Sequence, residues 1–289
     1  MKAQFDNQVM SSFYLWFDNH LLTKGEGFTN HGSEFYDVQD MYNGYYTYAA
    51  PFKQLVSDNS IDNATVISGV YVGSDFVTPG TNNLSGINYD EGQAYFSSVP
   101  TGTVSGNYAI KEYSVHLTDQ NESELLFETK FHLKPKITEA KAGLDTDTMT
   151  YPSVYLKLTK SENHPFAFGG HEETISEIRA LVFSDSQFSL DAVCSIFRDV
   201  KYNHIPLWKE SEMPFNTFGD YRDGTKYDYK SFSTGMHGGN QLYVSSVTAQ
   251  KMGRGLQDAG EVKDMNPEIF TAVIDFTVNK PRYPRRTSG

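Results

Sequence analysis

Cysteine is nearly missing from this chain. Cys194 is the one thiol in 289 residues, which excludes an intrachain disulfide framework and fits folding in a reducing cytoplasm. Long apolar runs are missing too. None approaches the roughly 20 residues needed to span a bilayer, and the first ten residues lack the basic-then-apolar order of a secretory signal, so a soluble chain made in the cytosol is expected. Lys and Arg are scarce beside Asp and Glu, 24 against 36, for a net charge of -12. That balance argues against a general nucleic-acid surface, which needs clustered positive charge near phosphates. The signatures of common chemistries are lacking as well. There is no Gly-x-Ser-x-Gly elbow, no Gly-x-x-x-x-Gly-Lys phosphate loop and no His-Glu-x-x-His pair, so nothing points to a catalyst, a cofactor or a metal.

Aromatic residues, by contrast, are plentiful: 19 Tyr and 20 Phe beside two Trp, 14% of the chain. They supply large contact area for little side-chain entropy, which suits β-cores and protein interfaces. The densest run of strand and turn signals lies between Val66 and Leu117. Val66 to Val72 is β-branched and aromatic, Gly73-Ser74-Asp75 supplies a turn, and Phe76-Val77-Thr78 follows. Ile87 to Asp90 then leads through Glu91-Gly92 into Gln93 to Phe96, Pro100-Thr101-Gly102 turns the chain again, and Val104 to Lys111 and Tyr113 to Leu117 read as further strands. Four to six strands in about fifty residues predict a small sandwich or barrel.

The order Ile-x-Tyr-Asp-x-Gly, aromatic strand, Pro-x-Gly, Val-x-x-x-Tyr, Lys is carried here by Ile87, Tyr89, Asp90, Gly92, Tyr95, Phe96, Pro100, Gly102, Val104, Tyr108 and Lys111. It resembles β-modules in virion structural proteins of tailed bacteriophages, where they occur in neck, tail and baseplate components. The match covers less than a fifth of the chain. Residues Ile178 to Val182, Ser189 to Asp199 and Ile274-Asp275-Phe276 with the basic tail are similar to virion proteins of marine tailed phages. The resemblance implies assembly and attachment rather than catalysis, with a location in the virion after synthesis in a host cytoplasm. It supplies no functional residue to carry over.

Ahead of that stretch, Phe5, Val9, Phe13, Trp16, His20 and Leu21 recur at helical spacing and predict an amphipathic helix stopped by Gly25 and Gly27. Its stripe either docks on a partner through Phe13 and Trp16 or packs on its own domain. Phe28 to Tyr48 reads as a surface loop or loose hairpin with an Asn43-Gly44 turn, whose Tyr45 and Tyr46 are candidate contacts. Beyond Leu117, the alternation of Leu125, Phe127, Thr129, Phe131 and Leu133 predicts a strand, and residues 138–150 lack apolar period and read as a linker. The second half combines strands at Ser153 to Leu158 and Ile175 to Ser184, a short helix capped by Ser189 with Asp191 in its first turn, and strands at Gln241 to Ala249 and Phe270 to Val278. The expected architecture is mainly β with short helices: an N-terminal helix plus β-sandwich or barrel module over 1–137, a linker over 138–150, an α+β module over 151–279, and an extended basic arm over 280–289.

Two constellations carry ligand-type atoms. His164, His171, Glu172 and Glu173 read as a surface turn, because adjacent residues of a strand face opposite ways and cannot converge on one ion. Asp220, Asp223 and Asp228 fail the order of a calcium loop. In the arm, Lys280, Arg282, Arg285 and Arg286 reverse the local sign of an acidic chain, and with Tyr283 they suit contact with a neighbouring subunit, or with nucleic acid passing close by in a channel. The expectation is a ring-forming neck or head-to-tail adaptor. Its partners would be other copies of itself in a cyclic homo-oligomer and other virion proteins such as a portal, adaptor, tail terminator or tail protein. The alternative is a tail or baseplate component that binds or cleaves host glycan.

Overall fold

The computed structural model describes residues 4–39, 41–125, 150–167, 171–209, 212–214, 226–235, 240–252 and 269–282. The fold is mainly β, with few short helices and a long N-terminal one. Helix α1 spans Phe5–Lys24. Strands β1 (Phe28–Asp37), β2 (Tyr46–Ala49), β3 (Val70–Val72), β4 (Asp75–Val77), β5 (Leu84–Asn88), β6 (Gln93–Phe96) and β7 (Val104–Lys111) form a seven-stranded sheet in the order β4-β3-β7-β1-β2-β6-β5. Strands β8 (Ser114–Leu117), β9 (Ser153–Ala167), β10 (His171–Ser184), β11 (His204–Pro206), β12 (Gln241–Met252) and β13 (Phe270–Arg282) form a six-stranded sheet in the order β11-β12-β13-β10-β9-β8. Helices α2 (Gln187–Arg198) and α3 (Tyr229–Gly235) follow, and residues 122–125 form a further helical turn.

The first sheet folds over its own core. β1 pairs with β7 over Phe28–Phe35 and hands only Tyr36 and Asp37 to β2, so it serves both halves of the sheet as a shared corner strand. Val70, Val77, Phe35, Val104 and Tyr108 from one half meet Leu84, Ile87, Ala94 and Phe96 from the other in one buried cluster. This is the sandwich-like packing that the turn-punctuated stretch predicts. Gly92 takes φ +65° in the β5–β6 turn, and a Cβ there would lie 2.2 Å from the Phe52 carbonyl oxygen, so glycine is required on both counts. β8, although it follows β7 after two residues, leaves this sheet and pairs parallel with β9 in the other.

The second sheet is a long antiparallel array of β9, β10, β13 and β12. Alternation sets its two faces. Val154, Leu156, Ile178, Ala180, Val182, Ala272, Ile274, Phe276 and Val278 point to the side covered by α1 and α2, while Tyr155, Leu181, Phe183 and Val273 form a smaller cluster with Leu125 and Tyr151 on the other. Helix α2 starts three residues earlier than its sequence suggests. Its cap is Ser186, whose Oγ accepts the Ser189 backbone N–H at 3.1 Å, and Ser189 instead sits inside the first turn.

Helix α1 packs on the second sheet and α2, and the end of β7 reaches the same cluster. Buried residues lie all round it: Val9, Phe13, Trp16 and Phe17, but also Ser11, Ser12, Leu15, Asp18, Asn19, Leu21 and Leu22. A single apolar stripe was expected; the helix is instead enclosed from several sides, as a core helix must be. Phe17 stacks on Phe197 of α2 at 3.8 Å, and Phe13 meets Phe276 of β13 edge-on at 5.0 Å. Val56, Ile61, Ala109 and Tyr113, from the first sheet and its connections, join the same cluster. So α1 and β8, both from the segment 1–137, contribute to the second sheet's core, while the first sheet keeps a cluster of its own beside it. The proposed linker falls, up to residue 149, outside the described residues, as do Phe127 to Leu133 of the expected strand.

Candidate functional site

The polar side chains of the interior are used to join the layers. Asp18 of α1 is 1% exposed and accepts two hydrogen bonds from the Lys111 ammonium, at 2.8 and 2.7 Å, at the end of β7. The Tyr113 hydroxyl donates to the same carboxylate at 2.8 Å and to the Asp18 carbonyl at 2.9 Å. Gly27 permits this packing, since a Cβ there would lie 2.9 Å from the Tyr113 ring. A second junction is built on Asp58, which is fully buried. Its Oδ1 accepts the backbone N–H groups of Ser60 and Tyr229 at 2.9 and 3.1 Å, and its Oδ2 accepts Asn19 Nδ2 at 2.9 Å. Loss of hydration pushes the Asp58 carboxyl above the usual range, and these donors pull the other way. His20, between Trp16 and Phe197, is driven down to about 4 by burial and by nearby Lys24. These groups answer one another inside the fold.

The candidate contact residues separate into interior and surface. Phe13 and Trp16 are 0% and 3% exposed, which corrects their assignment as contacts to another subunit: they are core residues of α1. Tyr46 is half-buried and packs against the first sheet's core, whereas Tyr45 is exposed. The two alternate because β2 begins between them. The Asn43-Gly44 turn has the positive φ angles, +50° and +85°, that a two-residue hairpin turn requires, and Tyr42 and Tyr45 exchange backbone hydrogen bonds across it. Lys280 and Arg282 do not belong to an extended arm. Both lie in β13, paired with Thr174 and Glu172; Lys280 is buried, and Arg282 stands 4.0 Å above the Phe5 ring and donates to Thr174 Oγ1 at 2.6 Å. The strand continues past Val278 because Pro281 and its neighbours have β10 to pair with and α1 to cover them. Tyr283, Arg285 and Arg286 fall outside the described residues.

The surface instead offers an aromatic face. Tyr71 and Phe76 are cross-strand partners with rings 5.1 Å apart, and Tyr71 sits opposite Ser105, which sits opposite Glu34; Tyr36 lies two residues further along the same side of β1. Tyr36, Tyr42 and Phe76 are each at least 50% exposed. Tyr42 stacks on Tyr95 at 5.4 Å, which fixes the hairpin tip over the sheet. Tyr36, Tyr71 and Phe76 were not singled out from sequence, although their phase in alternating strands is the signal that turns them outward.

No family model matches the chain, and no curated protein is similar to it in sequence.

The ligand-type constellations have structural roles. His164 bonds Glu162 at 2.9 Å, Glu173 accepts from Asn279 at 3.1 Å, and Asp228 caps α3 by accepting the Ser231 N–H at 2.7 Å. Asp220 and Asp223 lie outside the described residues, and no group of three or more metal-ligating side chains occurs among those described. Cys194 is buried on α2, and burial pushes its thiol up. A shallow cleft of about 370 Å³ opens on the outer face of the second sheet, beneath residues 118–125. Its one guanidinium, Arg179, is clamped by Glu122 and by Asp275, the latter at 2.6 Å, so it is already neutralised.

Proposed function

We propose that this chain is a structural component of a tailed-phage virion, a ring-forming adaptor at the neck or head-to-tail junction that works through protein-protein contacts. The observation that carries the reading beyond the resemblance is the aromatic outer face of the first sheet. Paired strands hold Tyr36, Tyr71 and Phe76 outward on an already ordered backbone, and aromatic residues are enriched among the anchors of protein interfaces. The polar interior supports the same reading, because a body whose two layers share one helix transmits load as a unit. Partners in this reading are further copies of the chain and the portal, adaptor, tail terminator or tail proteins on either side. Quantitative mass spectrometry of purified particles tests it. About six or twelve copies per particle are expected of a ring under cyclic symmetry; hundreds would indicate a tube or shell subunit, and absence from particles would overturn the virion assignment.

The second reading is a tail or baseplate component that binds or cleaves host surface glycan, and it draws on the exposed Tyr42 and Tyr45 at a hairpin tip. A glycan array decides it: specific binding lost in Tyr45→Ala would favour the glycan. Tyr46 is unsuited to that test because it is half-buried against the first sheet's core.

A further inference from the structure

The outline of the second sheet is stepped. On one side β11 covers only Gln241 to Tyr243 of β12, so from Ser246 to Met252 that strand has no neighbour on its outer edge among the described residues. On the other side β8 covers only Ser153 to Leu156 of β9. Following the register across the sheet, Ser153 is level with Phe183, Thr271 and Met252, and Leu156 is level with Ala180, Ile274 and Ala249. The protruding β8 therefore stands at the same height along the strands as the uncovered end of β12. The two outlines fit as a lap joint.

The uncovered edges differ in how they meet solvent. Beyond Leu156, β9 carries a bulge near Leu158, then Lys160, Glu162, His164 and Pro165, the devices by which edges are kept from pairing. The stretch Ser246 to Met252 has no proline, no glycine and one charge. On β8, the Ser114 and Thr118 N–H groups bond to β9, which turns the backbone of Val115 and Leu117 toward an edge that is open among the described residues. The Leu117 side chain is 42% exposed. Level with it, on the same face of the sheet, a groove of about 130 Å³ runs between α2 and β12, lined by Asp191, Cys194, Ser195, Arg198, Ala249 and Lys251. Arg198 at its rim is exposed, and so is Asp119, two residues after Leu117.

We infer that copies of this chain join head to tail by strand addition, β8 of one copy pairing antiparallel with the uncovered end of β12 of the next. Leu117 enters the neighbour's groove beside Ala249, and Asp119 approaches the neighbour's Arg198. The interface is heterologous, so a rotation between successive sheets closes a ring, and main-chain pairing gives the contact its register. The inference rests on the ring-forming reading above and names the surface that would build the ring.

The test uses full-length chains in a Cys194→Ser background. Leu117→Cys and Ala249→Cys are made separately, mixed, and treated with a short bismaleimide. A cross-linked pair in the mixture, with neither single variant linking to itself, is the expected result. A chain carrying both changes should give a ladder that ends at the ring's copy number. In parallel, Leu117→Asp, at an exposed position, should keep the monomer's circular dichroism and melting temperature while raising the concentration needed for assembly by at least about tenfold. Oligomers of unchanged affinity without the Leu117–Ala249 link would overturn the edge pairing and leave the ring standing. Self-linking of Ala249→Cys alone would show a two-fold interface and overturn the head-to-tail arrangement. A chain that stays monomeric at all concentrations and is absent from particles would end the ring reading and this inference with it.

Discussion

A fully buried carboxyl, Asp58, and a half-buried imidazole, His20, carry opposite pH signatures at the residue scale. Asp58 accepts from three donors, two of them backbone N–H groups. Asp58→Ala orphans all three and is expected to cost about 3 kcal/mol, since each unsatisfied buried donor is worth roughly 1–3 kcal/mol and relaxation recovers part of the sum. Asp58→Asn keeps an oxygen for the two backbone donors and should lose less; equal losses in urea denaturation would show that the hydrogen bonds are not what Asp58 contributes. His20 gives the pH term. Its folded value near 4 lies below the ordinary 6.5, so the unfolded chain binds the extra proton first. Stability from the neutral ring is complete above pH 6.5 and is lost as pH falls toward 4, on the order of 3 kcal/mol in all. Asp58 acts in the other direction, because its raised carboxyl favours the fold when protonated and loses that contribution as pH rises. His20→Leu should therefore flatten the difference in denaturation midpoint between pH 7 and pH 4.5 relative to the parent. An unchanged difference would place the acid sensitivity elsewhere.

Legibility differed between kinds of element. Strands β3 to β8 were readable because glycine and asparagine turns punctuate short β-branched runs, and the turn chemistry is local: Gly73 and Gly92 take φ +62° and +65° where hairpins were expected. Helix α1 was readable as a helix but not in its role. Its periodic apolar residues show one face, while the burial of Ser12, Asp18 and Asn19 depends on partners 39 to 196 residues away: Asp58, Lys111 and Trp208, whose backbone N–H donates to Ser12 Oγ at 3.0 Å. Polar residues on a helix suggest solvent unless those partners are known. The end of β13 was hidden for a similar reason, since Lys280-Pro281-Arg282 looks like a tail until β10 is placed beside it. This bears on the arm. A chain ending after Arg282 keeps the whole strand and should melt like the full-length protein. One ending after Asn279 loses the Arg282 contacts to Phe5 and Thr174 and should be less stable by about 1–2 kcal/mol. If Tyr283 to Gly289 reaches a neighbouring subunit, the first truncation weakens assembly alone; unaltered assembly would remove the arm from the interface.

At the scale of the molecule, the question is whether two sheets with separate clusters behave as two domains. The first sheet has its own core around Phe96 and Tyr108, and the second has a larger one around α1. Ala109 of β7 and Tyr113 belong to the larger core, and Lys111 closes an ion pair with Asp18 whose side chains are 9% and 1% exposed. A pair so enclosed is expensive to break from one side, about 3–5 kcal/mol, because the remaining charge is left buried and unpaired. The layers should therefore unfold together. Trp16 and Trp208 both report on the α1 core, while circular dichroism reports strands from both sheets, so coincident fluorescence and dichroism transitions are expected. Asp18→Ala should lower stability by the full amount, and, by severing the link between β7 and α1, it is the substitution expected to separate the two transitions. A parent chain that already melts in two steps would show that α1 belongs to the second sheet alone. The first sheet would then be a module carried by its neighbour, and the aromatic face on it would be free to move relative to the edges of the second.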